Sequence, residues 1–413
     1  LLSEGKWVKI RVDKTGIYKL SYADLKNMGF SDPSKVSVHG YGGWPLDEDF
    51  SKEYIDDVPS TPVWRGSDYL LFYGKGPVKW EYDSSSQTFV HTNNPYSLYG
   101  YYFVTDATPT NDMTSVAQAS GASTRITTYD DYLLHEQELV SVNQSGREFF
   151  GEDFSGARPR TISTFSSIPG ITDADGKVTM RFISRINSGS GTASLSINDS
   201  ELLDITIPSI QTVSSNVRSY TKAIPGTTTA LWKGSKSEKN NVVVSYSSSG
   251  HTNVRLDYIR MQFVRTLRPY GACTFFRSLT SVGNASRFVI SEANSNTLVF
   301  DVTDALNVKR VEADLNGSEL SFTIPAGRLR EFVLVQTNQT FPSPEVVGEV
   351  ASSNLHGLEQ RDMIIISAPS LVQQAERLAV AHREKDGLTV EVVTPEAIYN
   401  EFSSGTPDAT AYR

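Results

Sequence analysis

The last fifty-odd residues, "RDMIIISAPSLVQQAERLAVAHREKDGLTVEVVTPEAIYNEFSSGTPDATAYR", constrain the fold more than any other stretch, because they change its class. Met363–Ile366 make an unbroken apolar run, the pattern of a strand covered on both faces. Ser370 is a candidate N-cap, and Leu371, Ala375, Leu378 and His382 recur at helical spacing along one face. Glu384 and Lys385 close the helix, and Gly387 stands where a C′ glycine belongs. "LTVEVVT" then reads as a second strand, parallel to the first and reached by a right-handed crossover. A parallel pair has faces and edges that one helix cannot cover. The tail is therefore expected to be the first βαβ piece of a larger α/β domain, which the 413-residue chain does not complete.

Everything upstream has the shorter period of β-structure. In "KWVKIRVDKTGIYKLSYADLKNMGF", Val8, Ile10 and Val12 alternate with Lys9, Arg11 and Asp13, as in a half-buried strand. "DKTG" reads as a turn, with Ile17 to Leu20 returning as the second arm of a hairpin. Ser21 and Asp24 have the spacing of a capping box for a short helix that Gly29 ends. "KVSVHGYGG", "SDYLLFYGKGPVKWEYD" and "YSLYGYYFVTD" add strands, and the unit spans 1–125. Residues 126–140 carry a helical or linking pattern. From there to 270, short strands at even spacing between turn signals predict a sandwich, of jelly-roll type. A third β unit and its turn-rich connection, "NQTFPSPEVVGEV", occupy 271–353, and the α/β tail occupies 354–413. No repeat of fixed period is present. The fold class is thus mainly β and multidomain, with an incomplete α/β start at the C-terminus.

Composition removes several functions. The 19 Tyr and 19 Phe favour strands over helix bundles. A net charge of −9 without a basic cluster argues against a nucleic-acid partner. No stretch approaches the ~20 apolar residues of a membrane helix, and "LLSEGKWVKI" lacks the basic and apolar regions of a signal peptide. The one cysteine, Cys273, excludes an intramolecular disulfide and any Cys-based zinc site. Its aromatic neighbours in "PYGACTFFRSL" suit a small packed residue better than a nucleophile. His39, His91, His135 and His251 show no metal-ligand spacing. "DADG" at 173–176 lacks the later ligands of a calcium loop and reads as a hairpin turn. The acidic stretch 45–57 reads as a solvated loop. Sequons at Asn143, Asn198, Asn284, Asn316 and Asn338 mark polar loops, and chance suffices for them in so Ser/Thr-rich a chain. The aromatic stretches between 69 and 103 are explained by core and cross-strand packing before any ligand face. No catalytic, cofactor-binding or metal residue is expected in the chain.

Within the tail, the runs A-E-R-L-A, H-R, D-G-L, V-V-T, I-Y-N-E-F-S-S-G and P-D-x-T-A-x-R are dense. They resemble the opening of the gingipain-type cysteine peptidase domain, with Tyr412 departing from a more usual aliphatic residue. "NLHGLEQRDMIII" is similar to the lead-in of that domain, and "KWVKIRVDKTGIYKLSYADLKNMGF", "VFDVTD" and "REFVLV" resemble segments that precede it. The likeness is to the sortase branch of the family; residues 140–240 add little to it. It implies an exported, surface-associated enzyme of a Bacteroidetes-type bacterium, with a β-rich region ahead of a caspase-like catalytic domain. It also implies a Cys–His dyad, type IX secretion cargo whose C-terminal sorting domains are removed, and attachment of that cargo to surface lipopolysaccharide. In the family the dyad lies beyond Arg413, so neither Cys273 nor His382 is assigned to it, and His356 is expected to have a structural or interdomain role. The partners implied are the chain's own downstream catalytic domain, secreted cargo and outer-membrane secretion components. A competing reading makes the chain a cell-surface adhesin or a glycan- or protein-binding β protein without enzymatic activity. Retention of so much of the family pattern in the tail argues against that alternative.

Overall fold

A computed structural model describes residues 1–142, 146–156, 158–186, 189–210, 223–248 and 252–412. Asn143, His251 and Arg413, singled out above, lie outside the described residues. The chain is mainly β, in several units, with an α/β segment at its C-terminal end.

The strands Trp7–Val12 and Gly16–Ser21 do form, but they are not the two arms of one hairpin. Trp7–Val12 pairs with Gly100–Thr105 and Glu345–Glu349, whereas Gly16–Ser21 pairs with Tyr69–Gly74 in a second sheet. "DKTG" carries the chain around a corner between sheets, and Val8, Ile10 and Val12 pack on Tyr18, Leu20 and Phe72 across the gap. Local alternation specifies a strand but not its partner. Ser21 begins helix α1 (Tyr22–Asn27) with a capping box: its Oγ accepts from the Asp24 N–H at 3.0 Å, and Asp24 accepts from the Ser21 N–H. The outer strand Glu345–Glu349 comes from the stretch read as a connection, and ties the end of the third unit to the first.

The middle unit is a sandwich of two four-stranded antiparallel sheets around one large apolar core. Residues expected to be helical or linking instead form the strand Thr128–Glu136, paired along its whole length with Thr252–Thr266. "TYDDYLLHE" fits either period poorly, and the long neighbouring strand decides the outcome. The hairpin of Val78–Asp83 and Thr88–Asn93 lies across this sheet. Trp80 stacks on Tyr132 at 4.0 Å, and the Phe89 N–H donates to Gln262 at 2.9 Å. The aromatic residues of that hairpin are thus spent on packing.

The third unit stacks Phe276 on Phe332 and Phe288 on Phe322, at 5.4 and 5.2 Å. Two short strands from the first third of the chain, Ser115–Val116 and Thr124–Ile126, join its sheets in parallel with Lys309–Val311 and Ser286–Ile290. Arg277 fastens this unit to the sandwich. Its side chain is 2% exposed, and it pairs with Glu331 through two nitrogens, donates to the Asp130 carbonyl at 2.9 Å and lies over the Tyr132 ring.

At the C-terminal end, Met363–Ile366 and Val390–Val393 are parallel partners, with α2 (Val372–Lys385) between them in sequence. Gly387 has φ +69°, as a C′ glycine requires. Ser370 is not the N-cap: a short 3₁₀ turn, Pro369–Leu371, precedes α2, and no side chain caps it. The expected helix face is not the covered one. Ala379 is the buried residue of α2, while Leu371 and Leu378 are half exposed, as are Ile364 and Ile366 of the strand expected to be covered twice. A second helix, α3 (Pro395–Phe402), is capped by Thr394, whose Oγ1 accepts from the Ala397 N–H, with Pro395 in its first turn. Among the described residues no helix is long and apolar enough to cross a membrane.

Candidate functional site: the seat of the α/β segment

The end of α3 and the loop after it bury polar side chains at a density seen nowhere else in the segment. Asn400, Glu401, Ser403, Ser404, Thr406 and Asp408 are each at most 3% exposed. Buried polar groups cost stability unless paired, and most of these find their partners on the first β unit.

Ser404 holds a left-handed φ of +53°, uncommon for a residue with a Cβ. There its Oγ accepts from the Tyr41 N–H at 2.9 Å and donates to the Tyr101 carbonyl at 3.0 Å. The Tyr41 hydroxyl donates to the Phe402 carbonyl at 3.0 Å, Thr406 Oγ1 to the Gly42 carbonyl at 3.2 Å, and the Leu46 N–H to Asp408 at 2.9 Å. Gly40 makes this approach possible. Its φ is +120°, and a Cβ there would stand 2.6 Å from the Ser404 hydroxyl. The glycines of "KVSVHGYGG", legible only as strand terminators, admit a neighbouring backbone.

Lys9 was expected on the solvent face of its strand. It is 8% exposed, donates to Asn400 Oδ1 at 2.9 Å, and lies over the Tyr101 ring at 4.6 Å. Burial pulls its ammonium down to about 8, against the raising pull of Glu396. Both faces of Trp7–Val12 are therefore covered.

His356 closes the seat from the other side. Its Nδ1 meets Glu401 and its Nε2 meets Asp56, both at 2.9 Å, and its ring stacks on Phe402. Glu401 also accepts from the backbone N–H groups of Leu355 and His356. Burial would lower the His356 pKa, but the two carboxylates outweigh it and raise the value above 6.5. Burial would raise Glu401, and the hydrogen bonds it accepts outweigh that and lower it. The acidic stretch 45–57 is largely exposed, as expected, yet it supplies Leu46 and Asp56 to the seat.

The other sequence candidates lie elsewhere and do not converge. Cys273 sits against Ile17, Tyr73 and Phe300, and burial pushes its thiol up to about 12, the opposite of what a thiolate nucleophile needs. His382 bonds Asp386 on the exposed end of α2. His39 is buried between Val58 and Thr108, and His135 meets Thr164 and Glu152. Asp173 accepts from the Lys236 N–H in a turn. Among the described residues no three His, Cys, Asp or Glu side chains are placed to share a metal ion. The arrangement at the seat can orient one unit on another.

Comparison with known proteins covers the same ground from outside. Residues 356–413 match the profile of peptidase family C25. The crystal structure of dimeric latent PorU from Porphyromonas gingivalis superposes on the whole chain with a TM-score of 0.88 at 36% identity. The chain spans 39% of that PorU chain. A Bacillus thuringiensis delta-endotoxin, Cry8Ea1, overlaps 61% of the chain and 54% of its own length at 9% identity, with a TM-score of only 0.22. No curated protein matches. The likeness to PorU runs through the seat and the β units alike, and the chain belongs to the PorU-like members of the gingipain family.

Proposed function

We propose that these residues are the β-rich platform of a gingipain-type cysteine endopeptidase, which holds the catalytic α/β domain and presents type IX secretion cargo to it. In this reading the enzyme works at the outer surface of the cell, removes C-terminal sorting domains and promotes cargo attachment. The observation that carries it is the buried polar seat. A decayed tail would not keep four buried polar side chains, Asn400, Ser404, Thr406 and Asp408, satisfied against the first β unit, because each unpaired group costs about 1–3 kcal/mol. Burial raises the Cys273 thiol, which argues against Cys273 as the nucleophile of this reading, and binding without cleavage is expected of the 413-residue chain.

The test is to immobilise the 413-residue chain and titrate an isolated sorting domain of type IX cargo over it by interferometry. A parallel incubation with a thiol activator is followed by mass spectrometry. Saturable binding without cleavage is expected. Cleavage abolished by Cys273→Ala would defeat the platform reading. Binding to a glycan array with no affinity for the sorting domain would favour the adhesin alternative.

A further inference from the structure

A second site lies between the first β unit and the sandwich, adjoining the seat at Leu46. It is a cleft of about 1050 Å³ between the 78–93 hairpin with residues 45–48 on one side and the sandwich sheet on the other. Seven carboxylates line it against three Lys or Arg side chains, so its potential is negative. Its rim is apolar and uncovered: Tyr96, Leu98 and Phe149 are 41, 69 and 37% exposed.

Deep in the cleft stands His91, its side chain 4% exposed. Its Nε2 faces Glu136 at 3.2 Å, and Tyr258 meets the ring edge-on at 4.7 Å. The buried Nδ1 has no hydrogen-bond partner, although an imidazole nitrogen in such a place ordinarily finds one. Beside it, Glu138 accepts from the Asn93 amide and from the Phe149 backbone at the outer lip, and Asp257 shares Arg181 with Glu148. Burial, opposed by Arg181 and reinforced by Glu136, pushes Asp257 up to about 6.

We propose that the cleft binds an extended polypeptide segment bearing an arginine or lysine, whose cationic head enters beside His91 between Glu136 and Glu138 while its apolar neighbours cover the rim. A bare metal ion fits less well, since no three ligating side chains converge among the described residues. A polyamine would satisfy the floor and leave the rim exposed. Charge complementarity sets the sign of the partner, and a carboxylate pair suits the forked donors of a guanidinium.

The experiment titrates the 413-residue chain against fluorescein-labelled Gly-Leu-Arg-Tyr-Arg-Leu-Gly, read by fluorescence anisotropy. The neutral control carries citrulline in place of each arginine. Saturable binding is expected, at least about tenfold weaker for the citrulline peptide. The pair Glu136→Gln with Glu138→Gln should weaken it by a similar factor, and Leu98→Ser should weaken it too. The pair Glu201→Gln with Asp204→Asn, on the other sheet of the sandwich, should leave it unchanged. Circular dichroism checks the fold of each variant; if the Glu136 pair unfolds, Glu138→Gln alone at the lip replaces it. The proposal is overturned if binding does not saturate, if citrulline binds equally, if the remote pair weakens binding as much, or if spermine binds more tightly than the peptide.

Discussion

At the scale of single residues, the most telling side chains are those whose environment contradicts their type. Lys9 reads as a surface residue from its alternation with Val8 and Ile10, and nothing local to "KWVKIRV" shows that a second unit covers it. Glu401 stands in the tail's signature and His356 in its lead-in, yet nothing local shows that the two meet in space. Their titrations set a pH window for the seat. The His356 pKa is raised, so the stability it lends is complete below 6.5 and is lost as pH climbs through its raised folded value. That of Glu401 is lowered, so its contribution is complete above 4.5 and is lost as pH falls through its lowered folded value. The seat should therefore be tightest between 4.5 and 6.5. Amide exchange at Leu355 and His356, corrected for intrinsic rates, should be slowest in that window. His356→Gln should abolish the alkaline limb and keep the acid one. A profile that stays flat from about pH 5 to 9 would show that the pair does not hold the segment.

Among elements, the strands were legible and their partners were not. Thr128–Glu136 lacked a clean period because an edge strand with one covered face and a hairpin across the other mixes polar and aromatic residues. The 7–21 region was legible as two strands and a capped helix, since those depend on neighbours within four residues. Whether the strands face each other depends on Gly100–Thr105 and Tyr69–Gly74, far along the chain. At this scale Gly40 is the informative position. Its φ lies in a region essentially reserved for glycine, so Gly40→Ala should cost about 1–3 kcal/mol, and the added methyl would press on Ser404. Limited proteolysis should then cut the 354–412 segment faster, with the sandwich unaffected. Equal resistance of variant and parent would mean that the segment is held by something other than this close approach.

Across the whole molecule, the first and third β units share an apolar cluster, with Ile17, Leu71 and Tyr73 beside Phe300, Val333 and Val335, whereas a charged fastener joins the third unit to the sandwich. That fastener is Arg277, since Glu331, Asp130 and Tyr132 come from both units it joins. Arg277→Met should destabilise the chain by about 3–5 kcal/mol, since it strands a partly buried carboxylate. Adding Glu331→Leu should recover a good part of that loss, as expected when both charges leave together. Thermal unfolding followed by calorimetry distinguishes the cases, and a double variant no better than the single would refute the pairing. What the sequence by itself determined is the mainly β class, the change to α/β at the tail, the capping box and C′ glycine, and the family, because each rests on local periodicity or a contiguous signature. Only the tertiary structure decided the sheet partners, the burial of Lys9 and Glu401, the glycine-lined seat and the acidic cleft. Those arise where residues tens to hundreds of positions apart meet, and no local pattern encodes which distant surface will exclude the water.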